Sequence, residues 1–134
     1  MPDAAYSLPP DAAMLASLAE QALAEMPEAL RRHLAGVAIA VEEMPDDGTL
    51  DDLGIESAWD LTGLYRGVPR HRRSNDATSL PDLIVLYRQP ILLEWIETGE
   101  ELARLVAHVM IHEAAHHFGF SDADIKALER DFGP

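Results

Sequence analysis

The stretch HEAAHHFGFSD, residues 112–122, gathers three histidines and two acids within eleven positions. His112 and His116 are four apart, so on a helix their side chains share one face with Cβ atoms roughly 5–6 Å apart. Two imidazoles so placed can meet one zinc ion at Zn–N distances of about 2.0–2.1 Å. Glu113 follows one position on, rotated about 100° around the helix. It reaches a water on the metal without being a ligand. Hydrolysis needs this division of labour: zinc acidifies its water, and a carboxylate takes the proton as that water attacks a polarised carbonyl.

A third ligand cannot come from continuing the helix, because residue 122 would then lie roughly 9 Å beyond His116 along the axis. Gly119 can take the left-handed conformation that ends a helix and reverses the chain, which returns the Asp122 carboxylate toward the pair. His112, His116 and Asp122 then leave a fourth position open for water. The competing reading makes Ser121 or Asp122 the N-cap of a final helix, and Asp124 and Glu129 stand as the other candidate ligands. His117 points about 100° from His116 and suits a supporting or surface role. His108, one turn before His112, reads as a structural or core-facing histidine.

These residues need a long, anchored helix. Leu102, Leu105, Val106, Val109 and Met110 supply its apolar stripe, and Thr98 with Glu101 has the spacing of a capping box. A first helix follows Asp11, with Met14, Leu15, Leu18, Ala22 and Leu23 at helical spacing, and Pro27 breaks it ahead of a short second helix. VAIAVEEM (37–44), LTGLYRGVP and DLIVLYR (82–88) read as strands, PDDGTLDD as an acidic turn, ILLEWIE as a short helix and DADIKALERDF as a closing one. Residues 1–10, with three prolines, read as a mobile tail ahead of a single domain over 11–134.

The whole chain has 134 residues and a formal net charge of −14. The size bounds it to one domain, and the charge argues against a general phosphate-backbone binder. Its basic cluster, Arg66, Arg70, His71, Arg72 and Arg73, reads as a solvated loop. With no cysteine, a zinc site must be built from His and carboxylates. No apolar run approaches the ~20 residues of a membrane span, and the N-terminus does not read as a signal peptide, so the expectation is a cytoplasmic protein acting on peptide or protein, without nucleic-acid or membrane partners.

HEAAHHFGFSD resembles the HExxHxxGxxD pattern of compact zincins. With VAIAVEEMPDD, DLTGLYRGVP, LPDLIVLYRQPIL and VMIHEAAHHFG in the same order, the chain is similar to the small bacterial zincin-like metallopeptidases over about residues 14 to 130. The resemblance implies an α+β minimal zincin-like fold, a small mixed sheet against a long active-site helix with N- and C-terminal helices. It also implies zinc on His112, His116 and Asp122, and peptide-bond hydrolysis with Glu113 as general base. By analogy LIVLYR is the edge strand that pairs with substrate; the donor to the oxyanion is not identified, and Tyr87 and Tyr65 stand as its candidates. Metzincins proper differ, having histidine where Asp122 stands and a methionine turn downstream, whereas here no methionine follows Met110. Two other readings are a zinc-containing peptide-binding module without turnover and a zincin-like hydrolase of another bond such as RNA. The related endoribonucleases lack the glutamate after the first histidine.

Overall fold

The computed structural model describes residues 6–67 and 81–131. Helix α1 (Ala12–Glu25) starts where Asp11 accepts a hydrogen bond from the Met14 amide at 2.8 Å, and buries Leu15, Ala19 and Ala22. Pro27 separates it from the single turn α2 (Glu28–Arg31). Within the stretch read above as a tail, Tyr6 and Pro10 touch the fold, while Ser7, Leu8 and Pro9 are exposed. The Tyr6 ring meets Trp95 edge-on at 5.5 Å, and the Pro10 carbonyl accepts from Arg88 Nε at 2.8 Å.

Strands β1 (Ala38–Glu42), β2 (Gly63–Arg66) and β3 (Leu83–Tyr87) form one mixed sheet in the order β1-β3-β2. β1 runs parallel and β2 antiparallel to β3. This corrects one expectation: LIVLYR is the central strand, hydrogen-bonded on both sides, and is not the sheet edge. Its unbroken aliphatic character reflects burial on both faces. Ile84 and Leu86 pack into the main core with the helices, while Val85 and Tyr87 turn to a second cluster with Leu50 and Leu61 on the opposite face.

PDDGTLDD is not a turn but a helix, α3 (Asp47–Leu53), capped by Asp46 accepting from the Thr49 amide at 2.7 Å and stopped by Gly54 at φ 68°. Acidic residues in its first turn suit the positive end of the helix dipole, and burial of Leu50 anchors it. A 3-10 turn over Ala58–Asp60 precedes β2.

Helix α4 (Arg88–Thr98) follows β3 directly, with Pro90 in its first turn where no amide bond is lost. The Thr98–Glu101 capping box does not form. Thr98 is the last residue of α4, Gly99 at φ 69° turns the chain, and α5 (Leu102–His117) begins after Glu101 without a side-chain cap. The Thr98 hydroxyl instead accepts from the Glu100 amide at 3.2 Å. Helix α5 is the centre of the molecule, touching α1, β2, β3, α4 and finally α6 (Asp122–Asp131). Its buried set, Leu102, Leu105, Val106, Ala107, Val109, Met110, Ile111, Ala114 and Ala115, leaves only one side for polar groups. Among the described residues no helix is long and apolar enough to cross a membrane.

Candidate metal centre

The polar side of α5 carries His112, Glu113 and His116. The two histidine rings lie 6.1 Å apart between centroids and only 12° from parallel, as the i, i+4 spacing requires, and both residues are exposed. Glu113, between them in sequence, is half-buried in a cleft of about 270 Å³ that includes Thr62, Leu105, Val109 and His112. Burial pushes its carboxyl above the ordinary carboxylate value, and charge on His112 and His116 pulls it partly back. A raised carboxyl is a better proton acceptor, the property a general base needs.

Gly63 lets this carboxylate approach the sheet. A Cβ there would stand 2.6 Å from Val109 Cγ1 and 3.6 Å from Glu113 Cγ, so β2 and α5 touch through a position without a side chain. Sequence reasoning took Gly63 only as part of a strand.

At the C-terminus of α5 the turn is as expected. Gly119 sits at φ 81°, its amide bonds the His116 carbonyl at 3.1 Å, and the Phe120 amide bonds the Ala115 carbonyl at 3.0 Å. This paired arrangement is a Schellman motif. The chain then enters α6 through Ser121, whose hydroxyl accepts from the Asp124 amide at 3.1 Å while Asp124 Oδ2 accepts from the Ser121 amide at 3.4 Å. Ser121 is therefore the cap and Asp124 its reciprocal partner. Asp122, in the first turn of α6 and exposed, takes no part in the cap. Glu129 comes back beside the histidines, its Oε1 3.7 Å from His112 Nδ1.

The structure thus brings His112, His116, Glu113 and Glu129 together. Among the described residues no three His, Asp or Glu side chains are gathered closely enough to hold one ion. The donor chemistry still suits zinc, because two accessible imidazoles share a face and the Glu129 carboxylate of α6 comes up beside one of them.

Further along α5, His108 is neither a core residue nor a free one. Its Nδ1 lies 3.2 Å from Glu100 Oε1, and its Nε2 is enclosed on the wall of the cleft with no hydrogen-bond partner among the described residues. Glu94 lines that wall too, its carboxyl raised by burial first and then by the charges of Glu100 and Glu97. Sequence reasoning missed Glu94 and Glu100. Their one signal was that α4 and the following link must pass the face of α5 that carries His108.

The two tyrosines are committed elsewhere. The Tyr65 ring stacks on His117 at 3.9 Å, and its hydroxyl donates to Asp82 Oδ2 at 2.7 Å. The Tyr87 hydroxyl accepts from Arg66 at 3.3 Å on the sheet face away from α5. Both hydroxyls thus have partners outside the histidine pair, Asp82 for Tyr65 and Arg66 for Tyr87. His117, given a supporting or surface role above, is exposed and stacks over Tyr65, with Gly67 beside its ring. Arg66 belongs to this far face, with Thr49 and Glu42 within 3.5 and 3.6 Å. Arg70, His71, Arg72 and Arg73 lie outside the described residues.

No curated protein matches the sequence. The family model for zincin-like metallopeptidases matches residues 34–131, which begin before β1 and end with α6. That span takes in the whole mixed sheet, α5 with its histidine pair and the helix that returns Glu129, and on this match the chain belongs to the zincin-like metallopeptidase family.

Proposed function

We propose that the protein is a zinc-dependent peptidase that hydrolyses peptide bonds with a water activated by the metal and by Glu113. The observation that carries this reading is the half-buried Glu113 carboxylate standing between two histidines that share a face of α5. Zinc would be held by His112, His116 and Asp122. Asp122 is favoured over Asp124 because the cap of α6 already uses Asp124. When bound, zinc supplies Lewis acidity toward the scissile carbonyl and the attacking water.

Glu113 accepts the proton of that water and passes it to the leaving amine, so one carboxylate serves as base and then acid. Its partial burial keeps the carboxylate basic. An extended substrate would align along β2. Among the described strands β2 is the sheet edge beside α5, and Gly63 keeps that edge close to Glu113.

The test is cleavage of an unbiased peptide library by the zinc-loaded protein, monitored by mass spectrometry, beside the Glu113→Gln variant. Zinc-dependent cleavage by the wild type and its loss in the variant support the assignment. A zinc-loaded wild type that binds library peptides but cleaves none would make the protein a peptide-binding module instead.

A further inference from the structure

His112 has two ring nitrogens, and only one can bind a metal while the other faces the protein. The structure shows which side the protein occupies: Nδ1 is turned toward Glu129 Oε1 at 3.7 Å, across the gap between α5 and α6. The Glu129 side chain is only 26% exposed, whereas that of His112 is 55% exposed, so the carboxylate approaches from the interior side and the rest of the ring faces solvent. Glu129 lies two turns along α6 from its cap at Ser121, on a helix held against α5 by buried Ile125. Its position is thus fixed by the packing of two helices and not by a free loop.

From this we propose that Glu129 is a positioning residue for His112. Once the 3.7 Å gap closes to hydrogen-bond distance, it accepts the Nδ1 proton, fixes the ring in the tautomer whose Nε2 carries the lone pair, and holds that nitrogen outward for the metal. The inference rests on the reading of His112 as a zinc ligand. It also assigns α6 two duties, with Asp122 at its start as a ligand and Glu129 two turns later as the support of a ligand. A carboxylate on the far nitrogen of a ligating histidine orients the ring and raises its basicity, and its loss commonly costs 10–100-fold in metal affinity.

Three measurements test this on the full chain. In metal-free protein at a pH where the rings are neutral, imidazole nitrogen chemical shifts report the tautomer. His112 should carry its proton on Nδ1 in the wild type and lose that preference in Glu129→Ala. Zinc affinity, measured by competition with a chromophoric chelator, should fall about 10–100-fold in Glu129→Ala and by less in Glu129→Gln, which keeps an oxygen acceptor. The visible spectrum of the cobalt-substituted protein should keep its form in both variants, because the coordinating atoms do not change.

An unchanged tautomer in Glu129→Ala overturns the proposal, as does unchanged zinc affinity. A collapse of the cobalt spectrum would instead make Glu129 a direct ligand, which overturns it as well. If the wild type binds no zinc, the peptidase reading fails by itself, and the tautomer measurement still decides the contact between Glu129 and His112.

Discussion

Gly63 and Val109 face each other across the contact between β2 and α5 so closely that a Cβ on the glycine would fall 2.6 Å from Val109 Cγ1. Gly63 has no positive φ, so its value lies in the missing side chain and not in backbone freedom. The carbonyl of Val85 closes a second side at 3.3 Å and Glu113 Cγ stands at 3.6 Å, leaving an added methyl little room to be absorbed.

Gly63→Ala should therefore destabilise the fold by about 1–3 kcal/mol, the range for overpacking a filled site. It should also slow hydrolysis by moving α5, and Glu113 with it, away from the sheet. Adding Val109→Ala removes the nearest obstacle and should recover part of the stability. Chemical denaturation of the two single variants and the double variant checks this, and simple additivity of the two losses would count against direct contact.

Glu113 also leaves a signature in metal-free protein. Burial raises its folded-state pKa above the unfolded value, so the folded state binds the proton more tightly. The resulting stability is present below the ordinary carboxylate value and is lost as pH rises through the raised folded value. Glu113→Gln removes this dependence. Its melting temperature relative to metal-free wild type should climb as pH rises above the ordinary glutamate value of about 4.3. Glu94, raised by burial and acidic neighbours, adds a slope of the same sign to both proteins, so the difference isolates Glu113. Parallel melting curves above that value would contradict the burial effect. With zinc and a cleavable peptide, the same variant should lose at least about 10²-fold in rate.

How much of this was legible in the sequence depends on how local each signal is. The His112–Glu113–His116 face, the stop at Gly119 and the break at Pro27 are set by helix geometry and backbone chemistry within a few residues, and they stand in the structure as read. DLIVLYR announced a buried strand but not its place in the sheet, because aliphatic residues satisfy a central strand and a covered edge alike. Thr98 misled because a capping pair is recognised by spacing alone, and Gly99 between them ends one helix before the next begins. The acidic run at 45–52 read as a turn, although Asp46 followed by Thr49 and Leu50 gives a cap and an anchor for a short helix. The contacts of Glu129 with His112 and Glu100 with His108 depend on how helices pack, which no window of sequence records.

The tyrosines yield an expectation opposite to the one their sequence positions suggest. Removing an oxyanion donor costs about 10²–10³-fold in rate. Tyr65→Phe and Tyr87→Phe should instead leave turnover within a few-fold of wild type, because their hydroxyls serve Asp82 and Arg66. Tyr65→Phe should cost about 1 kcal/mol of stability through loss of the hydrogen bond to Asp82. Steady-state kinetics on a library-derived peptide beside thermal denaturation would show it, and a hundredfold loss of rate in either variant would restore a catalytic role to that hydroxyl.

Ser121 and Asp122 are neighbours with different work, and the difference can be measured. The Ser121 hydroxyl caps α6, so Ser121→Ala should cost about 0.5–2 kcal/mol in metal-free protein while leaving one zinc bound per chain. Among the described residues Asp122 makes no capping bond, and its charge in the first turn of α6 suits the positive end of the helix dipole. Asp122→Asn should thus cost no more than about 0.3–1 kcal/mol in metal-free protein. Its effect should fall on zinc, with an affinity well below that of wild type and a smaller gain in melting temperature on adding the metal. His116→Ala serves as the reference for losing one imidazole of the pair and should bind zinc no better than Asp122→Asn. If Asp122→Asn keeps wild-type affinity while His116→Ala loses it, the third ligand is not Asp122, and the search moves to the other carboxylates of α6.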